Sequence, residues 1–264
     1  SETGDPNWNE LCDICGYLGD PSPDGKVNFD DLMVFATNYG KECPVHNLTK
    51  GTYYNNIQAA IDDAVSDNII EVLTGIYYEN IAFNNKDITV QSTNPLDPKI
   101  VDNTIIDGGK NGSVVIFSGG DTSTLEGFTI QNGEASFGGG IYLEDSYSTI
   151  ENNRIRDNTT GNWGGIYMNN SSPTITGNTI NNNTANFGGG IFVDNNSSPD
   201  ISGNNITGNS VYNHGGGIYV YNSSPTIENN FINGNTAIGL TGFGGGIFVK
   251  NSFPTITGNT ISNN

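Results

Sequence analysis

The second half of the chain repeats one pattern of apolar and polar positions. An aromatic residue (once histidine), two or three glycines, an isoleucine and a second aromatic residue recur five times, with isoleucines at Ile141, Ile166, Ile191, Ile218 and Ile247. Two more apolar positions follow in every repeat: Ile150, Ile175, Ile201, Ile227 and Ile256, then Ile155, Ile180, Ile206, Ile232 and Ile261. Successive repeats are 25 to 29 residues apart, a period typical of solenoids.

The three apolar segments of each repeat predict β-strands. They are short, rich in β-branched residues and bounded by Gly, Asn, Ser or Pro, so helices are disfavoured. No single repeat can bury three isolated isoleucines, whereas coils stacked about 4.8 Å apart would bury them as continuous columns. We therefore predict an all-β fold over residues 47–264, a right-handed three-stranded parallel β-helix of about seven rungs.

Asparagines recur in register with these strands. One set lies three residues after the second isoleucine, at Asn153, Asn178, Asn204, Asn230 and Asn259. The other lies three residues after the third isoleucine, at Asn158, Asn183, Asn209, Asn235 and Asn264. Because Asn tolerates left-handed backbone conformations and stacked amides can hydrogen-bond from rung to rung, we expect both sets to occupy turns.

The β-helix is predicted to begin with a short amphipathic helix. Its apolar positions are Ile57, Ala60, Ile61, Ala64 and Val65. A helix here would cover the first rung and prevent association through that edge.

Charge excludes several classes of function. The chain has 28 acidic and 9 basic residues, a net charge of -19, so no basic stripe is available for nucleic acid or an anionic membrane surface. Apolar runs are too short to span a bilayer. The chain starts at Ser1 and shows no signal peptide, so we expect a processed protein that is secreted or at the cell surface.

Residues 20–31 have the spacing of a calcium-binding loop. The predicted ligands are the side chains of Asp20, Ser22, Asp24, Asn28 and Asp31 and the carbonyl of Lys26. Gly25 falls at the sharp turn, and a short amphipathic helix follows. The other interpretation is an acidic, Pro-rich turn before a helix.

The loop, the Asp31-Leu32 junction and this helix resemble a dockerin module over residues 1–43. Dockerins carry two such loops, and the first is degenerate here at Asp5–Asn9. The resemblance implies a calcium-binding unit, and we place the domain boundary between residues 46 and 47. All three cysteines, Cys12, Cys15 and Cys43, lie in this region. Either Cys12 or Cys15 could form a disulfide with Cys43, or the first two could be half of a zinc site.

Residues 47–264 resemble the pectate-lyase-like β-helix superfamily, through the opening helix, the Gly75-Ile76-Tyr77 turn and the Ile-Asp-Gly-Gly segment at Ile106–Gly109. That fold hosts enzymes, adhesins and structural shafts. Its enzymes combine carboxylates with an Arg or Lys base, or use carboxylate pairs. Here the segment Arg154-Ile155-Arg156 and His214 resemble such motifs only weakly. We interpret the remaining candidates, Glu144, Asp145 and Asp194, as solvated surface acids, and predict no catalytic residue.

Two rows of aromatic residues accompany the glycines. The first is Tyr142, Tyr167, Phe192, Tyr219 and Phe248, and the second is Phe137, Trp163, Phe187, His214 and Phe243. Alternation along a strand predicts that the first row points outward while the isoleucines point inward. Tyr167→Ser should then cost little stability and Ile191→Asp should unfold the solenoid. The first row is either a stabilising stack or a contact surface for sugar rings or a neighbouring subunit.

The leading functional hypothesis is a non-catalytic extracellular structural or adhesive β-helix protein that self-associates, end to end, into filaments. The alternatives are a carbohydrate-active enzyme, either a polysaccharide lyase or a glycoside hydrolase, and a carbohydrate-binding module with a polysaccharide or cell-surface partner. Glycosylation is also predicted from ten Asn-x-Ser/Thr sequons, at Asn47, Asn111, Asn158, Asn169, Asn170, Asn182, Asn195, Asn196, Asn205 and Asn222.

Overall fold

The structure is a computed structural model that describes residues 43–240 and 242–264. The calcium loop, Cys12 and Cys15 lie outside the described residues, so what the sequence indicates for them stays a prediction. Over residues 43–240 and 242–264, no helix is long and apolar enough to cross a membrane.

The chain forms the predicted right-handed parallel β-helix, with about seven turns and four long sheets that we name A to D. Sheet A contains Thr52–Tyr54, Val45–Asn47, Ile69–Val72, Thr89–Ser92, Thr124–Glu126, Thr149–Glu151, Thr174–Thr176, Asp200–Ser202, Thr226–Glu228 and Thr255–Thr257. Sheet B contains Gly75–Tyr77, Thr104–Asp107, Thr129–Gln131, Arg154–Arg156, Thr179–Asn181, Asn205–Thr207, Phe231–Asn233 and Thr260–Ser262. Sheet C contains Ile81–Ala82, Val115–Ser118, Ile141–Glu144, Ile166–Asn169, Ile191–Asp194, Ile218–Tyr221 and Ile247–Lys250. Sheet D contains Glu134–Phe137, Thr159–Trp163, Thr184–Phe187, Ser210–His214 and Thr236–Ala237.

The isoleucine columns are the core, as predicted. In-register pairs such as Ile150 with Ile175 and Ile155 with Ile180 stack the same side chain on successive turns. All members from Ile141 to Ile232 are fully buried. The inward assignment of Ile191 is therefore confirmed.

Sheet D is a fourth strand per turn, where three were predicted. Its buried positions are small or polar, namely Thr160, Ala185 and Val211, so they form no isoleucine column. These side chains have room because the residues opposite them are glycines, which have no Cβ. A Cβ added to Gly139 would lie 3.1 Å from Thr160 Cγ2, and one added to Gly189 would lie 3.1 Å from Val211 Cγ1.

The asparagine ladders lie in turns, and all their members up to Asn235 are buried. Asn178 shows the pattern: its Oδ1 accepts from the backbone N–H of Asn153 at 2.9 Å, and its Nδ2 donates to the Ile150 carbonyl at 2.8 Å and to Asn204 Oδ1 at 3.1 Å. The left-handed conformation belongs to the residue before each ladder asparagine, such as Gly177 at φ 65°. The ladder side chains thus serve as hydrogen-bonding groups, and their neighbours make the turn.

The turn from sheet C to sheet A contains a third ladder, made of serines, which was not predicted. The backbone N–H of Ser146 donates to Ser171 Oγ at 3.0 Å, and Ser171 N–H donates to Ser197 Oγ at 3.0 Å. Ser197 and Ser223 continue the series toward Ser252. Each hydroxyl satisfies a buried donor of the preceding turn.

Helix α1, Ile57–Asp63, covers the first turn as expected, although Val65 lies beyond it and is 60% exposed. Asn56 caps it by accepting from Ala59 N–H at 2.8 Å. Helix α2, Pro98–Asn103, was not predicted.

The β-helix also begins earlier than expected. Val45–Asn47 pairs antiparallel with Ile70–Val72, so residues 45 and 46 belong to sheet A and not to the N-terminal unit. Cys43 is buried and disulfide-bonded.

Asn204→Leu should lower the free energy of unfolding by about 2–5 kcal/mol, because it leaves the Asn178 N–H and the Ile175 carbonyl buried without their partner. The neighbouring Asn205→Thr is the matched control, since Asn205 is exposed and Thr179 stands at the same position one turn earlier. Urea unfolding followed by circular dichroism measures both. Equal losses would contradict a special role for the ladder.

Candidate functional site

Two aromatic ladders run side by side where sheet D meets sheet C. The inner ladder consists of the second residue of five sheet C strands: Tyr142, Tyr167, Phe192, Tyr219 and Phe248. Its ring centroids are 4.6 to 5.8 Å apart on successive turns, and Phe192 and Tyr219 are nearly parallel at 9°. In-register stacking of sheet C therefore produces a continuous column of rings.

The outer ladder closes over the inner one. It consists of Phe137, Trp163, Phe187 and His214, which end the sheet D strands, together with Phe243. The Trp163 ring lies 5.4 Å from both Tyr167 and Phe192, and the His214 ring lies 4.6 Å from Phe248. The glycine turns between the two sheets permit this close approach.

The inner ladder is consequently buried, and the prediction that it faces solvent is wrong at its centre. Tyr167, Phe192 and Tyr219 are 4%, 3% and 6% exposed. These rings do point away from the isoleucine columns, but the unpredicted sheet D strands place a second layer of rings over them. Their role as a stack fits the structure, and their role as a contact surface does not.

His214 belongs to the packing of the outer ladder. Its Nδ1 accepts from the backbone N–H of Phe243 at 3.1 Å, and its ring stacks on that of Phe243 at 5.5 Å. The resemblance of His214 to a catalytic motif therefore has a structural explanation.

Asp194 is not the solvated acid that we predicted. It is 5% exposed, its Oδ2 accepts from the Tyr167 hydroxyl at 3.3 Å, and its Oδ1 accepts from Asn195 N–H at 2.8 Å. Burial raises the pKa of Asp194 above its ordinary value. Burial, and then the Asp194 carboxylate, raise the pKa of Tyr167. The carboxyl end of sheet C thus contains a carboxyl group that holds its proton more tightly than usual.

Glu144 lies two strands from Asp194, with Asn169 between them in register. Two strand spacings amount to about 9.6 Å. Asn169 Nδ2 donates to Glu144 Oε1 at 3.3 Å, and burial followed by Glu144 raises the pKa of Tyr142 to about 12. Inverting glycosidases place two carboxyl groups about 6.5–9.5 Å apart, and the spacing of these two strands is close to the upper end of that range. The burial of Asp194 restricts access to one of them.

The two arginines and the acidic pair of sheet A lie elsewhere. Arg154 pairs with Asp102 at 2.6 Å and Arg156 with Asp157 at 3.2 Å, both on the sheet B side. Glu126 and Glu151 are adjacent on sheet A, and burial followed by Glu151 raises the pKa of Glu126. In the described part of the chain, no three His, Cys, Asp or Glu side chains come together to hold a metal ion.

The turn from sheet C to sheet A forms a shallow polar groove of about 560 Å³. Asn195, Asn196 and Asn222 line it, and the ring of Phe253, which is 89% exposed, stands at one side. These three asparagines are also sequons. Among the other predicted glycosylation sites, Asn47 and Asn158 are buried and hydrogen-bonded, so those two are inaccessible in the folded chain.

Tyr167→Ser should lower the free energy of unfolding by about 3–5 kcal/mol, because it removes a ring from the centre of a buried stack. This expectation replaces the small effect predicted from sequence. Tyr147→Ser is the matched control, since Tyr147 is 61% exposed. Thermal unfolding compares the two variants, and similar melting temperatures would show that sheet D does not cover the ladder.

Comparison with known families gives one result. A family model described as "Right handed beta helix region" matches residues 113–264, more than half of the chain. No curated protein and no solved structure gave a significant match.

Proposed function

The chain belongs to the right-handed β-helix family, and on that premise we propose that it is a non-catalytic extracellular protein with a structural or adhesive role. The solenoid acts as a stiff rod, and its long sides bind a partner. The burial and disulfide bonding of Cys43 support an oxidising, extracellular location.

The observation that carries this proposal is the continuity of the ladders. Two asparagine ladders, a serine ladder and the inner ring ladder run from turn to turn without a break over residues 149–235. The residues that recur in every repeat are therefore used for internal cohesion. A regular shaft of this kind presents extended surfaces, which suit attachment better than the enclosure of a small substrate.

A carbohydrate-active enzyme is the second candidate, and the Glu144–Asp194 pair is the observation that favours it. The raised pKa of Asp194 suits a general acid. The resemblance to the pectate-lyase-like superfamily supports the same alternative. Against it, the acid is buried and its hydrogen bonds to Tyr167 and Asn195 explain it structurally.

Incubation of the full chain with a panel of polysaccharides tests the proposal. We expect retention on some polymers without release of reducing ends or unsaturated products. Product release that Asp194→Asn or Glu144→Gln abolishes, with the fold intact by circular dichroism, would establish the enzyme instead. Product release that survives both substitutions would refute the non-catalytic role and also exclude this pair.

For the N-terminal segment, we propose a dockerin-like unit that binds calcium through the oxygens of Asp20, Ser22, Asp24, Lys26, Asn28 and Asp31. The support is the donor set, since hard oxygen ligands at this spacing suit Ca²⁺. Self-association, like calcium binding, rests on the sequence alone.

The full chain should bind calcium at about millimolar concentration or below, in the range of extracellular modules. Asp24→Ala should weaken that binding at least about tenfold, because it removes one charged ligand. Asp30→Ala is the control, since Asp30 lies in the same loop outside the ligand set. Isothermal titration calorimetry measures all three proteins. Absence of binding to the parent chain, or equal loss in both variants, would exclude the loop as the site.

A further inference from the structure

Sheet D carries almost no charge. Its strands, Glu134–Phe137, Thr159–Trp163, Thr184–Phe187, Ser210–His214 and Thr236–Ala237, contain one carboxylate, at Glu134, and no lysine or arginine. The chain as a whole has a net charge of -19. The strands of sheet D therefore carry the fewest charges of the four sheets.

Each central turn of sheet D offers one amide beside one ring. The pairs are Asn162 with Trp163, Asn186 with Phe187, and Asn213 with His214. Their backbones are in register from turn to turn, and the rings of Phe187 and His214 lie 5.8 Å apart. Asn186 Nδ2 donates a hydrogen bond to the Gly161 carbonyl. The side chains of Asn162 and Asn213 make no hydrogen bond within the described part of the chain.

One end of this surface is strongly apolar. Tyr212 is 60%, Ile238 70% and Phe243 62% exposed. Clustered exposed apolar side chains on a soluble protein mark interaction sites. The sheet D face, which we define as Asn162, Trp163, Phe187, Tyr212, Asn213, His214, Ile238 and Phe243, thus combines half-buried rings, amides and an apolar end.

We propose that the sheet D face binds an uncharged polysaccharide that lies along the solenoid axis. A pyranose ring has an apolar C–H face that packs on an aromatic ring and hydroxyl edges that pair with amides. The exposed rings of Tyr212 and Phe243 and the amides of Asn162 and Asn213 offer both groups. An anionic polymer is disfavoured because the protein is strongly acidic and no lysine or arginine lies on this face. The inference rests on the proposed adhesive function and specifies its ligand class.

Affinity electrophoresis of the full chain through gels that contain a soluble β-glucan, a galactomannan or polygalacturonate tests this inference. We expect retardation by at least one neutral polymer and none by polygalacturonate. Tyr212→Ser, Phe243→Ser and Asn213→Asp each change an accessible part of the face. Each should weaken retardation about tenfold, equivalent to about 1.4 kcal/mol. Tyr147→Ser, an exposed tyrosine outside the face, should not.

Four outcomes would overturn the inference. Retardation by neither neutral polymer excludes the ligand class, and preferential retardation by polygalacturonate excludes the charge argument. If the three face variants are retarded as strongly as the parent and melt at the same temperature, the binding site lies elsewhere. If Tyr147→Ser weakens retardation as much as the face variants do, the binding site also lies elsewhere. Product release in the polysaccharide panel refutes the non-catalytic function, and it is scored separately from retardation.

Discussion

Every corner of the solenoid must satisfy its buried backbone polar groups from the adjacent turn, and the rest of the structure depends on this constraint. Along the strands and through the glycine corner between sheets D and C, backbone hydrogen bonds between turns meet it, but at the other corners some backbone groups need a side-chain partner. Asn and Ser side chains replace it there: Asn183 Oδ1 accepts from Asn158 N–H at 3.1 Å, and Ser223 Oγ accepts from Ser197 N–H at 3.2 Å. Because an unpaired buried N–H costs about 1–3 kcal/mol, these residues recur at a fixed place in each repeat.

The glycine rows answer a different constraint, the close stacking of the successive turns that join sheet D to sheet C. A Cβ added to Gly190 would lie 2.7 Å from the Gly217 carbonyl oxygen, and one on Gly217 would lie 2.6 Å from that of Gly246. No larger residue fits these positions without displacing backbone. The turn can therefore fold the sheet D rings onto the inner ladder, which buries that ladder and leaves the outer rings as the accessible surface.

The features predicted from the sequence are those that recur with the same residue type in every repeat. The features that were missed are those whose residue type changes from turn to turn. Isoleucine columns and ladder asparagines recur with one residue type, so the fold and its inside face followed from them. Sheet D was missed because its buried positions change from Thr160 to Ala185 to Val211. A signal was present, since Thr159, Thr184, Ser210 and Thr236 directly follow the second set of asparagines. Without that strand, the burial of Tyr167 and Asp194 could not be foreseen.

In-register stacking also limits charge. A charged residue repeated at one position would face its copy about 4.8 Å away, and directly opposed like charges destabilise a sheet. The outer row of sheet A accordingly mixes Glu with Gln, Thr and Ser, and its adjacent pair Glu126–Glu151 shows the expected rise in the pKa of Glu126. Sheet C separates Glu144 from Asp194 by Asn169. The chain, whose net charge is -19, therefore distributes the acids of its solenoid over several faces, and the strands of sheet D carry the fewest charges.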